Sequence, residues 1–413
     1  MTTVLVIGGG AAGMMAAAQA ALSGAEVTIL ERNSCLGKKL SITGGGRCNL
    51  THAATVPTLI ENIPGNGRFL YSAFTTFNSQ DCQRFFTKLG VHLKVEVDGR
   101  VFPVSDRSHD VIAAFQAFLV RSGARIQFHS RVQELLTDEG RIIGVVAAGH
   151  RILSPVVILA SGGTSYPETG STGDGYRLAK SVGHTIIEPK PSLVPLETEE
   201  NWPKSLAGLS LPGLTLTLYE GDRVLGSRTG DLLFTHFGVS GPAVLLLSRL
   251  VTHRTGQGPL RLTFNLLPGL SPKQLDGHLQ HIFATAPCRQ LATSLAELLP
   301  RRLAPVVSTI AELDPAKPVH QVTKIERSRL LQVMTALTLK ISGTRPLSQA
   351  IVTAGGVSTK EINPRTMGSK LVSGLFFAGE VIDVDGYTGG YNLQAAFSTG
   401  YLAGKNAAVF HRT

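Results

Sequence analysis

The sequence predicts an α/β protein: a Rossmann-like, dinucleotide-binding sheet domain interrupted by an inserted antiparallel barrel or sheet that carries helices. Three observations predict it. The first thirty-one residues read as strand, glycine-rich turn, Ala-rich helix and second strand. A late apolar run at 374–378 reads as another buried strand, ending at Gly379 and Glu380. Between them, from about residue 190, prolines and short alternating runs break the text.

Residues 3–7 form the first apolar strand, and Gly8-Gly9-Gly10-Ala11-Ala12-Gly13 follows at once. A helix is expected over 14–22 and a second strand over 27–30, ending at Glu31, 18 residues after Gly13. These glycines occupy the G-x-G-x-x-G positions: Gly8 for the tight turn, Gly10 for close approach of a pyrophosphate, Gly13 for close packing of helix on strand. The free N–H groups and dipole of the helix start would hold the phosphates. Glu31 would accept from an adenosine ribose.

The next stretch runs from Arg32 through Lys38, Lys39 and Thr43-Gly44-Gly45-Gly46-Arg47-Cys48-Asn49. Three successive glycines suit a loop pressed against a ligand. Lys38, Lys39 and Arg47 supply positive charge near a diphosphate, or, for the two lysines, simply a solvated face. Cys48 reads as a small buried hydrophobe or as a redox or acid group.

Helices are expected over 69–77, 79–90 and 110–122, with a hairpin turning at Asp98-Gly99. A meander of strands follows over 125–136, 142–147 and 152–160. Its last run, 156–160, is apolar throughout and enters Ser161-Gly162-Gly163, as a central parallel strand would. Another helix is expected over 177–182.

The composition shifts near Glu188-Pro189-Lys190-Pro191. Alternating runs at 214–219, 223–227 and 260–266 predict the barrel or sheet. Phe234-Thr235-His236-Phe237-Gly238-Val239-Ser240-Gly241-Pro242 interrupts them before an apolar helix at 243–250. From 271 to about 340 the period is helical. These shifts place a discontinuous domain at 1–189 and 346–413, and the insert at 190–345, with its barrel at about 190–268. The chain closes with Asp383, Asp385, Gly389-Gly390-Tyr391-Asn392-Leu393-Gln394 and a small-residue helix over 395–409.

The chain has 413 residues, 39 Lys and Arg against 29 Asp and Glu, and 12 His. Its formal net charge of +10 favours anionic partners, nucleic acid among them, or serves solubility alone. Four scattered cysteines without C-x-x-C spacing argue against a metal site or disulfide framework and suit a reducing cytoplasm. No apolar run approaches the ~20 residues that span a bilayer. The chain starts almost directly with its nucleotide strand, which leaves no room for a cleaved signal.

One Rossmann unit, a late strand ending in Gly-Glu and a final helix aimed at a flavin pyrimidine ring are the order of two-dinucleotide-binding-domain flavoproteins. That order favours FAD over NAD as the tightly held cofactor. The motifs at 43–49, 234–242 and 378–394 resemble the BaiN/RdsA-type NAD(P)/FAD-dependent oxidoreductases, also labelled aminoacetone oxidase-like. The resemblance runs essentially end to end. It implies a Rossmann-like FAD domain with a β-barrel insert carrying helices. Carried over by it, Gly8, Gly10, Ala11, Ala12, Gly13, Glu31 and Arg32 hold the ADP part, with Val132 meeting the adenine through its backbone. Lys39, Gly45, Arg47, Cys48 and Asn49 line the diphosphate and flavin. Ala160, Gly162, Gly379, Glu380, Gly390, Tyr391, Asn392 and Leu393 complete the pocket.

The family's members reduce C=C bonds, including uridine in ribosomal RNA and unsaturated bile-acid intermediates; amine oxidation is also assigned. The resemblance therefore implies NADH or NADPH as a transient donor, docking against the flavin, with ribosomal RNA or a small molecule as substrate. A non-catalytic FAD-bearing RNA-binding protein is the other class the sequence leaves open. The acid that protonates the substrate is not evident. His236 overhanging from the insert is a candidate catalytic group, with Tyr391, Tyr387 and Cys48 its rivals.

Overall fold

The structure, a computed structural model, describes residues 2–254 and 256–410. It contains two compact units, Met1–Ser192 with Leu347–Thr413, and Leu193–Pro346. Each encloses its own apolar core.

The discontinuous unit is organised by a five-stranded parallel sheet in the order Leu375–Phe377, Val156–Leu159, Thr3–Ile7, Glu26–Leu30, Arg125–Gln127. Val156–Leu159 lies between two neighbours with all four side chains buried, so it reads as continuous apolar text. Because all five strands run the same way, Gly8, Glu31, Ala160 and Ala378 follow their carboxyl ends at one edge, where ligands of open α/β sheets bind.

Helix Ala11–Leu22 packs against the final helix, Tyr391–Ala408. Their contact leaves no room for side chains. A Cβ on Gly400 would stand 2.4 Å from the Ala12 carbonyl oxygen, and one on Gly404 2.2 Å from that of Ala16. Gly400 opposite Ala12 and Gly404 opposite Ala16 make the two helices run in parallel. Gly400 lies nine residues into its helix and Ala12 one residue into its own, so the final helix begins about 12 Å farther out at ~1.5 Å per residue. That final helix starts at Tyr391, four residues before the start the sequence suggested.

Two sequence-read strands divide. The run at 125–136 becomes Arg125–Gln127 in the parallel sheet and Val132–Asp138 in a separate meander with Arg141–Ala147 and His150–Leu153. The chain turns between them because His129, at φ +56°, and Ser130 donate their N–H groups to the carbonyls of Asn33 and Glu31. The run at 152–160 divides likewise between the meander and the central strand. The Asp98-Gly99 hairpin forms between Leu93–Val95 and Arg100–Pro103.

In the second unit, six strands close a barrel in the order Leu196–Thr198, Gly238–Ser240, Arg223–Thr235, Ser210–Glu220, Leu260–Phe264, Leu337–Thr344. The last of these corrects the helical reading to residue 340. Leu337, Leu339 and Ile341 alternate with exposed Thr338 and Lys340, a period of two, and the strand joins the barrel ends. The stretch at 234–242 is a tight hairpin within the barrel, with His236 and Phe237 at its turn. Helices Pro272–Thr285, Leu291–Leu295, Leu303–Ile310 and Lys324–Thr335 share the barrel's core; capping boxes at Ser271/Gln274 and Thr323/Glu326 start the first and last.

A buried clamp ties the helix Asp174–Ser181 to the loop before Leu375. His184, 2% exposed, has Nδ1 3.2 Å from Glu361 Oε2 and Nε2 2.9 Å from Ser369 Oγ. The Leu371 and Val372 N–H groups donate to Ser369 Oγ and use its lone pairs. Its hydrogen therefore goes to Nε2, and Nδ1–H goes to Glu361. The arrangement has the outline of a nucleophilic triad, but an oxygen with both lone pairs engaged is no nucleophile. Burial lowers the His184 pKa against the pull of Glu361. Burial would raise Glu361, but hydrogen bonds from Thr185 and His184 hold it below its usual range.

Both shifts give the same sign. Below about pH 6.5 the unfolded chain takes up the proton that folded His184 refuses, and lower still the unfolded carboxylate takes up one before the folded Glu361 does. Stability is therefore expected to fall as pH drops from 7 toward 5, and the fall should be shallower in His184→Gln. Thermal melts of both proteins across that range check it.

Candidate functional site

The opening turn builds the first half of the site. Gly8, at φ +102°, presses against the Ala160 carbonyl, and a Cβ on Gly13 would stand 1.8 Å from the Gly8 oxygen. Gly10 is different: its backbone is extended, and a Cβ there would meet nothing within 4 Å. The helix it caps has neither a side-chain cap nor an acid in its first turn. An open cradle beneath uncapped N–H groups fits an anion.

Glu31 is 6% exposed. Its Oε2 accepts from Gly9 N–H at 2.6 Å; its Oε1 accepts from the Asn33 N–H at 2.7 Å and the Asn33 amide at 2.8 Å. The carboxylate thus fixes the turn while keeping lone pairs for a ribose. Glu31→Ala strands three donors. It is expected to cost about 3 kcal/mol of stability in urea unfolding, at roughly 1 kcal/mol for each partner lost, and to weaken FAD uptake as well. Arg32 is bound to Thr172 (2.6 Å) and Asp174 (3.3 Å), and Asp174 also receives Arg131. Val132 lies next in the chain, buried, paired with Ala147.

The second half lies farther along the same edge. Gly44, Gly45 and Gly46 all hold positive φ (+59°, +68° and +88°), which explains the triple glycine; Cβ-sized space is open above Gly45. Cys48 is fully buried, and burial pushes its thiol up to about 12, so it is a neutral packing group at physiological pH. Arg47 is already engaged by Glu96 and, at 2.8 Å, by Asp106, and lies over the Phe102 ring.

With its amide turned so that nitrogen donates, Asn49 bonds the Thr51 and Val101 carbonyls, and its oxygen accepts from Gly390 N–H at 3.0 Å. The sequence-predicted segments 43–49 and 389–393 therefore meet. Gly390 touches Thr51 so closely that a Cβ would stand 2.4 Å from its carbonyl carbon. The final helix begins there with no side-chain cap and no first-turn acid, leaving the Tyr391, Asn392 and Leu393 N–H groups directed outward from its start. Asn392 closes the preceding loop through Gly386 and Tyr387. Burial, with the Asp98 charge, pushes the Tyr391 phenol upward, so it stays neutral.

Lys39 and Glu380 form an ion pair at 2.8 Å; Ser165 and the Thr353 N–H complete the carboxylate's partners. Gly379 holds φ +74° against Ala12, and Gly162 φ +75° beside Ser171. His236 is exposed at the insert's hairpin turn, its ring edge-on to Phe237. It belongs to the other unit from the residues above.

Sequence reasoning missed His52, which sits between Gly389 and Tyr391, and the buried relay from Thr51 to Gln394 to Phe77 and Ser398. No local signal marked them: His52 lies three residues beyond Asn49, outside the motif at 43–49, and its carbonyl partner is 337 residues away.

These residues fit FAD. An anion cradle at one helix start and a second uncapped helix start about 12 Å farther out match a diphosphate joined through a ribityl chain to a ring that gains negative charge on reduction. Among the described residues there is no candidate metal cluster, and no helix is long and apolar enough to cross a membrane.

The family model described as the HI0933-like protein Rossmann domain matches residues 2–406. Over 412 residues the chain is 33% identical to a 3-dehydro-bile acid delta(4,6)-reductase of Clostridium scindens, covering 99% of each. It is 31% identical over 402 residues to a ribosomal RNA dihydrouridine synthase of Haemophilus influenzae, covering 96% of each. Among solved structures it resembles the 3-ketosteroid-delta4-(5alpha)-dehydrogenase of Rhodococcus jostii RHA1, with TM-score 0.55 and 17% identity over 98% of this chain and 97% of that one. That likeness is one of fold.

Proposed function

The chain belongs to the HI0933-like Rossmann family of FAD-dependent oxidoreductases, and on that premise we propose that it is an NAD(P)H-fed reductase of a carbon–carbon double bond conjugated to a carbonyl. Uridine in ribosomal RNA is the favoured substrate. The observation that carries the reading is the uncapped start of the final helix, gripped at Gly390 by Asn49 and Thr51, where donors would face a ring that becomes electron-rich on reduction. FAD held there would supply hydride chemistry, passing a hydride from a nicotinamide donor to an electron-poor carbon of the substrate.

The chain's own groups would hold the diphosphate on Gly10 and the first helix, the ribose on Glu31, and the ring at residues 390–393. With no second Rossmann turn in the sequence, the nicotinamide docks transiently. Tyr391 and His236 are the candidate donors of the proton to the adjoining carbon; Tyr391→Phe and His236→Ala, compared by single-turnover reoxidation, test each.

One relative is a bile-acid delta(4,6)-reductase and the other a ribosomal RNA dihydrouridine synthase. The surplus of ten basic charges favours the polyanion. A second reading, reduction of a small steroid-like enone, is favoured by the bile-acid relative's identity and full coverage. The test follows anaerobic bleaching by NADH or NADPH and recolouring by candidate acceptors, alongside the dihydrouridine content of ribosomal RNA in a deletion strain. Loss of dihydrouridine supports the RNA reading. Unchanged content with recolouring by an enone selects the small-molecule reading. Peroxide formed with amines as reductant would replace both with an oxidase.

A further inference from the structure

We infer that His52 is a positioning residue that sets the flavin-facing start of the final helix, an inference that rests on the FAD reading of that site. The helix is preceded by Gly389 and Gly390, at φ +120° and +97°, a pair with little conformational preference of its own. Something outside the pair must aim the N–H groups that follow. Residues 49–52 do so at successive points. Asn49 accepts from Gly390 N–H, the Thr51 backbone abuts Gly390, and Thr51 Oγ1 donates to Gln394 at 2.5 Å.

His52 supplies the remaining grip. Its Nδ1 lies 3.1 Å from the Gly389 carbonyl oxygen. A carbonyl only accepts, so Nδ1 carries the hydrogen. Its ring stacks on that of Tyr391 at 4.9 Å and 18°. On its third side stands the hairpin tip, where a Cβ on Gly99 would lie 2.6 Å from Nε2. The imidazole is thus held by two segments distant in sequence from it, residues 389–391 and the hairpin tip. Nε2 faces the hairpin tip, so the ring acts through Gly389 and Tyr391 and not as a proton donor at the helix start. Its bond fixes the glycine before the cap, and its stack fixes the first residue after it.

The test is titration of apo-protein with FAD, read by fluorescence and by the visible spectrum of the bound flavin. In His52→Ala the Kd is expected to rise about tenfold, the worth of one such hydrogen bond and stack, with a shifted flavin band. His52→Asn, whose amide can donate to Gly389, should recover most of the affinity; His52→Phe, which stacks without donating, should recover less. If His52→Ala does not fold, the comparison of the Asn and Phe variants decides: tighter binding by Asn supports the inference, and equal binding overturns it. A Kd and spectrum in His52→Ala equal to wild type also overturn it while leaving the FAD reading intact. Failure of wild-type protein to take up FAD removes that reading, and the inference with it.

Discussion

Gly400→Leu is expected to lower stability by about 3–5 kcal/mol and to abolish tight FAD binding. The added side chain would enter a contact where even a Cβ stands 2.4 Å from the Ala12 carbonyl oxygen, and backbone cannot swing away as a long side chain can. The first and last helices must then separate by an ångström or more. Their parallel register sets the distance between the diphosphate cradle and the ring-facing helix start, so both ends of the site lose alignment together. Gly404→Leu, opposite Ala16, should act alike, and the two should be strongly non-additive because one separation relieves both. Chemical denaturation and FAD titration of the two single variants and the double variant check this.

Gly10→Val is expected to leave stability nearly unchanged and to do the same to binding. Its backbone is extended, a conformation open to any residue, and a Cβ there meets no protein atom within 4 Å. The apo-protein should therefore melt within about 1 kcal/mol of wild type, as substitutions without a structural penalty do. FAD affinity should nonetheless fall at least a hundredfold, because the new side chain occupies the space the diphosphate needs. A variant that loses stability with affinity would mean that Gly10 serves packing. A variant that binds FAD normally would mean that the diphosphate lies elsewhere.

The contrast between Gly10 and Gly400 also shows where the sequence was legible. The opening strand, turn, helix and acid lie within 31 consecutive residues, and their chemistry depends mostly on local backbone geometry. The same holds for Gly44-Gly45-Gly46, where three positive φ angles demand three glycines. Gly400 and Gly404 read only as small residues in a helix, because what they touch is nearly 400 positions away. His52 was illegible for the same reason, since its carbonyl partner is 337 residues distant. Arg47 read as charge for a diphosphate because nothing local announced Glu96 and Asp106 as its partners. The strand Leu337–Thr344 was lost to the helical text before it, although its own alternation was present; barrel closure by a strand this far from the others is a long-range fact.

Glu380 illustrates a subtler limit. Its place after a buried strand and a glycine suggested direct contact with the cofactor. The structure shows how much of its carboxylate is used in holding Lys39, Ser165 and the Thr353 backbone together, so its effect on binding can pass through those groups.

The central claim is that two helix starts, set by their register, hold one extended dinucleotide flavin. Unfolding a purified sample in acid and separating the released pigment by chromatography tests it most directly. The account predicts FAD, intact and close to one per chain. Release of FMN, whose lack of adenosine would leave Glu31 without a ligand, or no pigment even after incubation with excess FAD, would contradict it.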